Sequence, residues 1–394
     1  TLESGNMQLL SDIDLLKVRL NSEEMAEGSV VLLEGWIPED KEVDVKKLLD
    51  ESGVYYEIRK ATREDNVPIK LKNNAFTRMY EVLTKMYGMP DYAEFDPTPI
   101  LAPFFSLFFA FCMGDAGYGL VLIVLGFYLR KKLSKSLRGM MNLVITLGIF
   151  TAVVGAILGT FFGVSLFDLE LPDKLKQFMI VGKIGETTYD KQMLLALIIG
   201  VVHISIAMTV KAIGQTVRYG FKESLSAWGW LLLVVGFICT GGLSFFKIIS
   251  EDVSTWAFIV IGGVAAIGIY LLNNIHRNVF VNIGAGVWDT YNMATGLMGD
   301  VLSYIRLYAL GLAGGMLGGV FNQLAFMVND AVGPAIGWLF CGLILIFGHS
   351  LNIAMSCLSA FVHPLRLTFV EYFKNSGYDG KGETYKPFSV VKNK

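Results

Sequence analysis

MGDVLSYIRLYALGLAGGMLGGVF, residues 298–321, sets Arg306 in a run of apolar and small residues that carries no further charge from Leu307 to Phe321. A guanidinium at the centre of a membrane-spanning helix costs about 2.5–3.5 kcal/mol on insertion scales and more in simulations, so its presence argues for a use. The competing reading is an arginine near the membrane edge whose side chain snorkels to the headgroups. The long uncharged continuation favours the functional reading. Gly311, Gly314, Gly315, Gly318 and Gly319 add overlapping small-xxx-small stripes, which let another backbone approach closely.

The rest of the chain agrees with a membrane setting. Of 394 residues, 53% are hydrophobic and 17% charged, and the mean hydropathy is +0.52, too apolar for a soluble chain of this length. Residues 1–96 hold most of the charge, whereas Pro99 to Phe373 is dominated by apolar runs. A net charge of −2 without a basic, aromatic-lined platform excludes a nucleic-acid binder. Cys112, Cys239, Cys341 and Cys357 lie in apolar runs without metal-ligand spacing and read as buried hydrophobes. The chain opens on Thr1 with no signal-peptide pattern and reads as a piece of a longer one.

In the polar part, residues 29–37 read as a strand, Glu39–Glu51 as a helix and Val54–Ile58 as a second strand, followed by a connector with a short amphipathic helix near Phe76–Met86. Apolar runs at 101–130, 141–165, 192–211, 226–246, 255–272, 298–328 and 335–373 are candidate crossings. Residues 279–296 read as an interfacial helix. Arg130, Lys131, Lys132, Lys135 and Arg138 have no acid among them, which puts their loop on the cytoplasmic side. A cytoplasmic N-terminal domain then requires 101–130 to cross an even number of times. About 30 residues are too few for two full spans, so the sequence predicts a short helical hairpin broken at 114–119, with Asp115 capping its second arm. Loops at Lys211–Glu223 and His276-Arg277 fall inside by the same rule, and both termini come out cytoplasmic.

The last span carries a second pattern. His349, Asn352, Ser356, Ser359, His363 and Arg366 recur at intervals of 3, 4, 3, 4 and 3, on one helix face. Such a face meets either water, as an ion path, or polar groups of another helix, as a seam, and the ion path is the preferred reading. A water-filled path predicts that cysteines at Asn352, Ser356 and Ser359 react with polar thiol reagents while those at Leu351 and Leu358 do not. Pro364 frees a backbone carbonyl and predicts a kink beside Arg366. Residues 377–382 lack phosphate-loop spacing, so the sequence offers no ATP site.

With these residues in view, the chain resembles the a/I subunit family of V-type and archaeal A-type rotary ATPases. The resemblance rests on GWIP at 35–38, NNAFTRMYEVLTKMYGMPDYAEFDPTPI at 73–100, FAFCMGDAGYG at 109–119, DVLSYIRLYALGLA at 300–313 and HPLRLTFVEYFKNSGYDGKGETYKPF at 363–388. It implies an all-α polytopic membrane domain of about eight transmembrane or half-membrane helices, ending in two long tilted helices, behind a small α+β cytoplasmic remnant. The division expected is 1–96 for the remnant and connector and 97–394 for a membrane domain with half-channels and a C-terminal tail.

Arg306 matches the family's essential arginine, Arg366 its second buried arginine and Glu371 the acid shortly after it. Gly314, Ser356 and Asn292 stand where the eukaryotic pattern has a histidine and two acids, which resembles the bacterial form. The resemblance implies a stator subunit of the cell membrane that couples H⁺ or Na⁺ movement to ATP hydrolysis or synthesis on other subunits. Its implied partners are a rotor ring of proteolipid c/K subunits, peripheral stalk subunits E and G, central-stalk and ATPase head subunits, and lipid. Ion-path candidates are Asp300, His349, Asn352, Ser356, Ser359, His363, Arg366 and Glu371. A secondary transporter with a midplane polar site is the rival class, but residues 101–211 and 226–373 show no repeat of the kind such proteins carry.

Overall fold

A computed structural model describes residues 2–20, 22–25, 30–62, 65–134, 137–168, 172, 176, 178–182, 190–245, 247–271 and 279–387. The chain divides into two units, one made of residues 1–72, 88–94 and 379–394, the other of residues 73–87 and 95–378.

The first unit contains helix α1 (Leu2–Leu20), strand β1 (Glu23–Met25) antiparallel to β2 (Val30–Leu32), and helix α2 (Glu42–Ser52), which follows a single 3₁₀ turn. The strand expected over 29–37 is therefore cut to three paired residues, and its partner lies upstream of it. Val54–Ile58 has no regular secondary structure and joins no strand among the described residues. Val43 and Leu48, the apolar face of α2, stay exposed, as do Val54 and Tyr55. Periodicity gave the helix correctly, but a strand forms only where a second edge accepts its hydrogen bonds. The expected α+β remnant is thus a helix-rich segment with one two-stranded ribbon among the described residues.

The second unit begins with short helices α3 (Ala75–Arg78) and α4 (Glu81–Tyr87), then α5 (Thr98–Met113), α6 (Ala116–Lys132) and α7 (Arg138–Leu158). A tight ribbon of β3 (Thr160–Phe161) and β4 (Val164–Ser165) follows, then α8 (Lys191–Tyr219), α9 (Leu225–Phe245), α10 (Glu251–Ala266), α11 (Val279–Ser303), α12 (Ile305–Val332), α13 (Pro334–Arg366) and α14 (Phe373–Ser376). By length and composition six helical stretches among the described residues can cross a membrane, the last two being Phe280–Val332 and Ile336–Ser376, with α5 a shorter apolar helix. The turn at His276-Arg277 lies outside the described residues.

Neighbour contacts give the helix directions. Gly119 packs on Ala152 and Gly126 on Ile145, while Gly155 meets Ala116, so α6 runs antiparallel to α7. The Thr160 hydroxyl at the end of α7 donates to the Gly114 carbonyl at the end of α5. Nearer their starts, Phe150 of α7 meets Phe76, which lies against Tyr80 at a tilt, which meets Phe105 of α5. Hence α5 and α7 run the same way and α6 turns back, which is the hairpin geometry expected for 101–130. Gly114 makes the turn with φ of 61°, left-handed space that favours glycine.

Leu101, Ala102, Phe105 and Phe108 of α5 are fully buried and form the centre of the core with Tyr80, Leu83 and Tyr304. A short helix with a broken end survives at membrane depth only when protein surrounds it. Truncating either phenylalanine to alanine is worth about 3–5 kcal/mol.

Candidate functional site

Asp115 caps α6 as expected, but it does more. Its Oδ1 accepts from the backbone N–H of Gly117 (2.8 Å) and Tyr118 (3.2 Å), and also from Phe162 (2.9 Å), while Oδ2 accepts from Gly163 (2.7 Å). One buried carboxylate therefore ties the hairpin break to the ribbon between α7 and α8. Gly163 in turn lies against Gly318 of α12, where a Cβ would come within 2.4 Å of backbone. The glycine stripe of residues 311–319 is thus used inside this chain. A Cβ on Gly311 would stand 2.5 Å from the Phe111 carbonyl, and one on Gly314 3.1 Å from Ser356 Oγ.

The polar face of α13 divides into two parts. Asn352 Nδ2 donates to Tyr118 Oη (2.7 Å) and to the Gly314 carbonyl (2.8 Å). Tyr118 Oη lies 2.9 Å from His349 Nδ1, His349 Nε2 lies 3.0 Å from Asn322 Oδ1, and Asn322 Nδ2 donates to the Phe162 carbonyl at 2.8 Å. A single tautomer, with the proton on Nε2, satisfies the whole chain of bonds. Asn352 and Ser356 are 1% and 8% exposed. The stretch 349–356 thus bonds to α12 and α6 through Tyr118, Gly314 and Asn322, contacts that the preferred reading of an open aqueous face did not include. Leu351 and Leu358 are exposed on the other face.

The lower part differs. Ser359 and His363 are half-buried and Arg366 is exposed, so the second arginine is not buried within this chain. His363 Nδ1 has no hydrogen-bond partner, and its electrostatic neighbours are Arg306 and Arg366. With the four native cysteines replaced, a cysteine at Ser359 is expected to react with a polar thiol reagent at least tenfold faster than one at Asn352 or Ser356. Equal rates at all three positions would contradict the division of this face.

Arg306 sits in the first turn of α12 and not in mid-helix. The helix expected over 298–328 is interrupted at Tyr304, and residues 279–303 form one continuous helix in place of a separate interfacial segment ending at 296. At the junction Tyr304 N bonds to the Val301 carbonyl and Leu307 N to the Tyr304 carbonyl, each at 3.1 Å, a three-residue spacing that tightens the chain. Arg306 Nη1 is buried with no hydrogen-bond partner, and among the described residues no carboxylate lies within ion-pair distance of the guanidinium.

After Arg366 the helix widens into a π turn, Leu367–Tyr372. Pro364 lacks a backbone donor, and its own carbonyl is taken up by the Thr368 hydroxyl at 3.0 Å. The irregularity expected from the proline lies here. The π turn brings Glu371 into the protein, 2% exposed, with Oε2 lacking a partner and with Arg366 and Asp300 among its electrostatic neighbours. Asp300 itself is held by Lys374 (3.3 Å) and by Asn375 Nδ2 (2.8 Å).

Sequence reasoning missed four side chains that shape this region: Tyr118, His203, Tyr304 and Tyr308. The Tyr308 hydroxyl donates to Asp190. It also lines a cavity of about 490 Å³ whose polar rim includes Thr160, Ser165, Gln192 and Gln323, with Gly311, Gly315 and Gly319 forming one wall. Along α12 its lining residues, Tyr308 to Gln323, follow Arg306, whereas Asp300, an electrostatic neighbour of Glu371, precedes it. Single polar residues in apolar runs carry no spacing signal, which is why they were not found.

Comparison with known proteins places these residues in a family. The model of the V-type ATPase 116kDa subunit family matches residues 15–167 and 289–390, which include Asp115, Arg306, Arg366 and Glu371. The A-type ATP synthase subunit I of Methanocaldococcus jannaschii is 31% identical over 390 residues, covering 91% of this chain and 55% of that protein. That of Pyrococcus horikoshii is 32% identical over 374 residues, covering 90% and 53%. The V-type ATP synthase subunit I of Chlamydia trachomatis is 28% identical over 451 residues, covering 96% and 64%. The chain spans about half the length of the archaeal relatives it matches. With the family model matching well over half of the residues on both sides of the hairpin break and across both arginines, the chain belongs to the V-type ATPase 116kDa subunit family.

Proposed function

We propose that this chain is the membrane part of the stator of a V/A-type rotary ATPase, and that Arg306 faces the ion-binding carboxylates of a rotor ring. The observation that carries the reading is the buried guanidinium nitrogen without a partner. A permanent charge at membrane depth needs a counter-charge, and among the described residues this chain supplies none, so the acid belongs to another chain. The relatives, which are subunits I of A-type and V-type ATP synthases, support a partner of that kind.

In this reading ions reach the ring by two offset routes. Ser359, His363, Arg366 and Glu371 line the cytoplasmic approach, and the cavity rimmed by Thr160, Gln192, Tyr308 and Gln323 serves the opposite side. Asp300 orients the 371–375 turn through Lys374 and Asn375. The seam at His349, Asn352 and Ser356 holds the two routes apart. Arg306 between them keeps a passing carboxylate free of its ion and so blocks a direct leak, a task that suits a group with a pKa above 12. Peripheral-stalk subunits E and G hold the cytoplasmic segment, and ATP is turned over by head subunits reached through the central stalk. Both termini are cytoplasmic.

Purification of a tagged chain from native membranes tests the reading. Proteolipid ring subunits and ATPase head subunits are expected in stoichiometric amounts, and a chain that purifies alone with its transport activity intact would overturn it.

A further inference from the structure

Arg306 Nη1 has no hydrogen-bond partner among the described residues, so no bond at that nitrogen fixes the guanidinium. Its placement falls to the backbone at residue 306. That backbone is set two residues earlier, at Tyr304, where the three-residue hydrogen bonds tighten the α11–α12 junction.

Tyr304 is fully buried, and its ring fills a slot on α8 that only glycine leaves open. A Cβ on Gly200 would stand 2.4 Å from the ring. Its hydroxyl lies 2.8 Å from Nδ1 of His203, one turn further along α8. His203 is fully buried too, and its Nε2 has no hydrogen-bond partner. The imidazole stacks on the ring of Tyr372, with centroids 4.7 Å apart and planes at 14°, and it meets Phe104 at 4.4 Å and Phe108 at 5.0 Å. Tyr372 belongs to the π turn that follows Arg366 and adjoins Glu371. One side chain on α8 therefore touches the aromatic residue next to each arginine-bearing turn.

A buried polar ring with one hydrogen bond and one unpaired nitrogen costs stability relative to an aromatic hydrocarbon in the same slot. Packing alone does not account for a histidine there.

We propose that His203 is a positioning residue, which through its bond to Tyr304 and its stack on Tyr372 sets the spacing between the Arg306 turn and the Arg366–Glu371 turn. This inference rests on the stator reading above. It assigns no contact between His203 and the ion. His203 acts by holding the orphan guanidinium at a fixed distance from the cytoplasmic approach, as a rigid supporting shell does for any preorganised charge.

The test uses the whole complex in vesicles and reads ions taken up per ATP hydrolysed, a ratio that loss of folded protein does not change. Tyr304→Phe keeps the ring and removes the hydroxyl, and His203→Phe keeps the stack and removes the bond. Each is expected to lower the ratio at least threefold with normal amounts of complex in the membrane. The double variant should be no worse than either single one, because both remove the same bond. His203→Ala, which also removes the stack, should be lower still.

Full coupling in both single variants, or a double variant whose loss is the product of the two, would overturn the inference. So would loss of the chain from the membrane in all variants, which would assign the pair to folding alone. Arg306→Lys run alongside separates the two levels. If it is uncoupled while the His203 and Tyr304 variants are normal, only the positioning role fails. If it too is fully coupled, the stator reading fails.

Discussion

Replacing Arg306 by lysine is expected to lower ATP-driven ion uptake by the reconstituted complex at least tenfold, equivalent to about 1.4 kcal/mol on a rate barrier, while the complex still assembles. Lysine keeps a positive charge but on a single strongly hydrated ammonium, which loses its proton far more readily than guanidinium when desolvated. The site gives it nothing in return, since Arg306 Nη1 already lacks a partner among the described residues. Assembly should survive because the turn is held by Tyr304 and not by Arg306. Uptake in vesicles, normalised to ATPase activity, checks the expectation, and near-normal uptake contradicts it.

The second large effect is expected at Asp115. Its carboxylate is fully buried and serves four backbone N–H groups on two segments. Hydrogen bonds to a charged acceptor contribute about 1.5–3 kcal/mol each. Even with heavy non-additivity, Asp115→Ala should therefore cost more than about 3 kcal/mol, enough to remove most folded chain from the membrane. Asp115→Asn should recover only part of this. Its amide oxygen can keep the bonds to Gly117, Tyr118 and Phe162, but its NH₂ then faces the Gly163 N–H. Thermal unfolding of the purified protein and its level in membranes measure both. An alanine variant as stable as the original would show that these donors find other acceptors.

Asp115 also shows what a sequence can disclose. A glycine-flanked acid at the middle of a run too short for two spans, followed by five positive charges, is a local signal, and both the break and the cap were readable from it. Arg306 was readable for the same reason, because a lone charge in an apolar run has few explanations. The stripe from His349 to Arg366 was readable as a face but not in its use. Spacing cannot tell a seam from a channel, and it does not disclose Tyr118, 231 residues away from its partner His349.

The same limit hid the role of Asp300. The sequence marks it as an acid near the arginine, but its partners Lys374 and Asn375 lie more than 70 residues on. His203 gave no signal at all, being a single histidine in a long apolar helix. In the polar segment the strand expected over 29–37 shortens to three residues, because alternating apolar residues form a strand only beside a second edge, and the one described edge offers three residues. The tightened junction at Tyr304 depends on a buried ring and a glycine on another helix, which no local propensity encodes.

The central claim is that the Arg306 side of α12 lies against a rotor ring, and disulfide trapping tests it most directly. Ala309 and Ala313 follow Arg306 at helical spacing and are exposed. Each is replaced by cysteine in turn, in a complex whose ring carries a cysteine one turn from its carboxylate. A cross-link from both positions is expected on mild oxidation, with ATP-driven ion uptake lost on trapping and restored on reduction. If neither position cross-links while an exposed control position on α9 such as Phe237 does, the ring lies elsewhere and Arg306 does not face it.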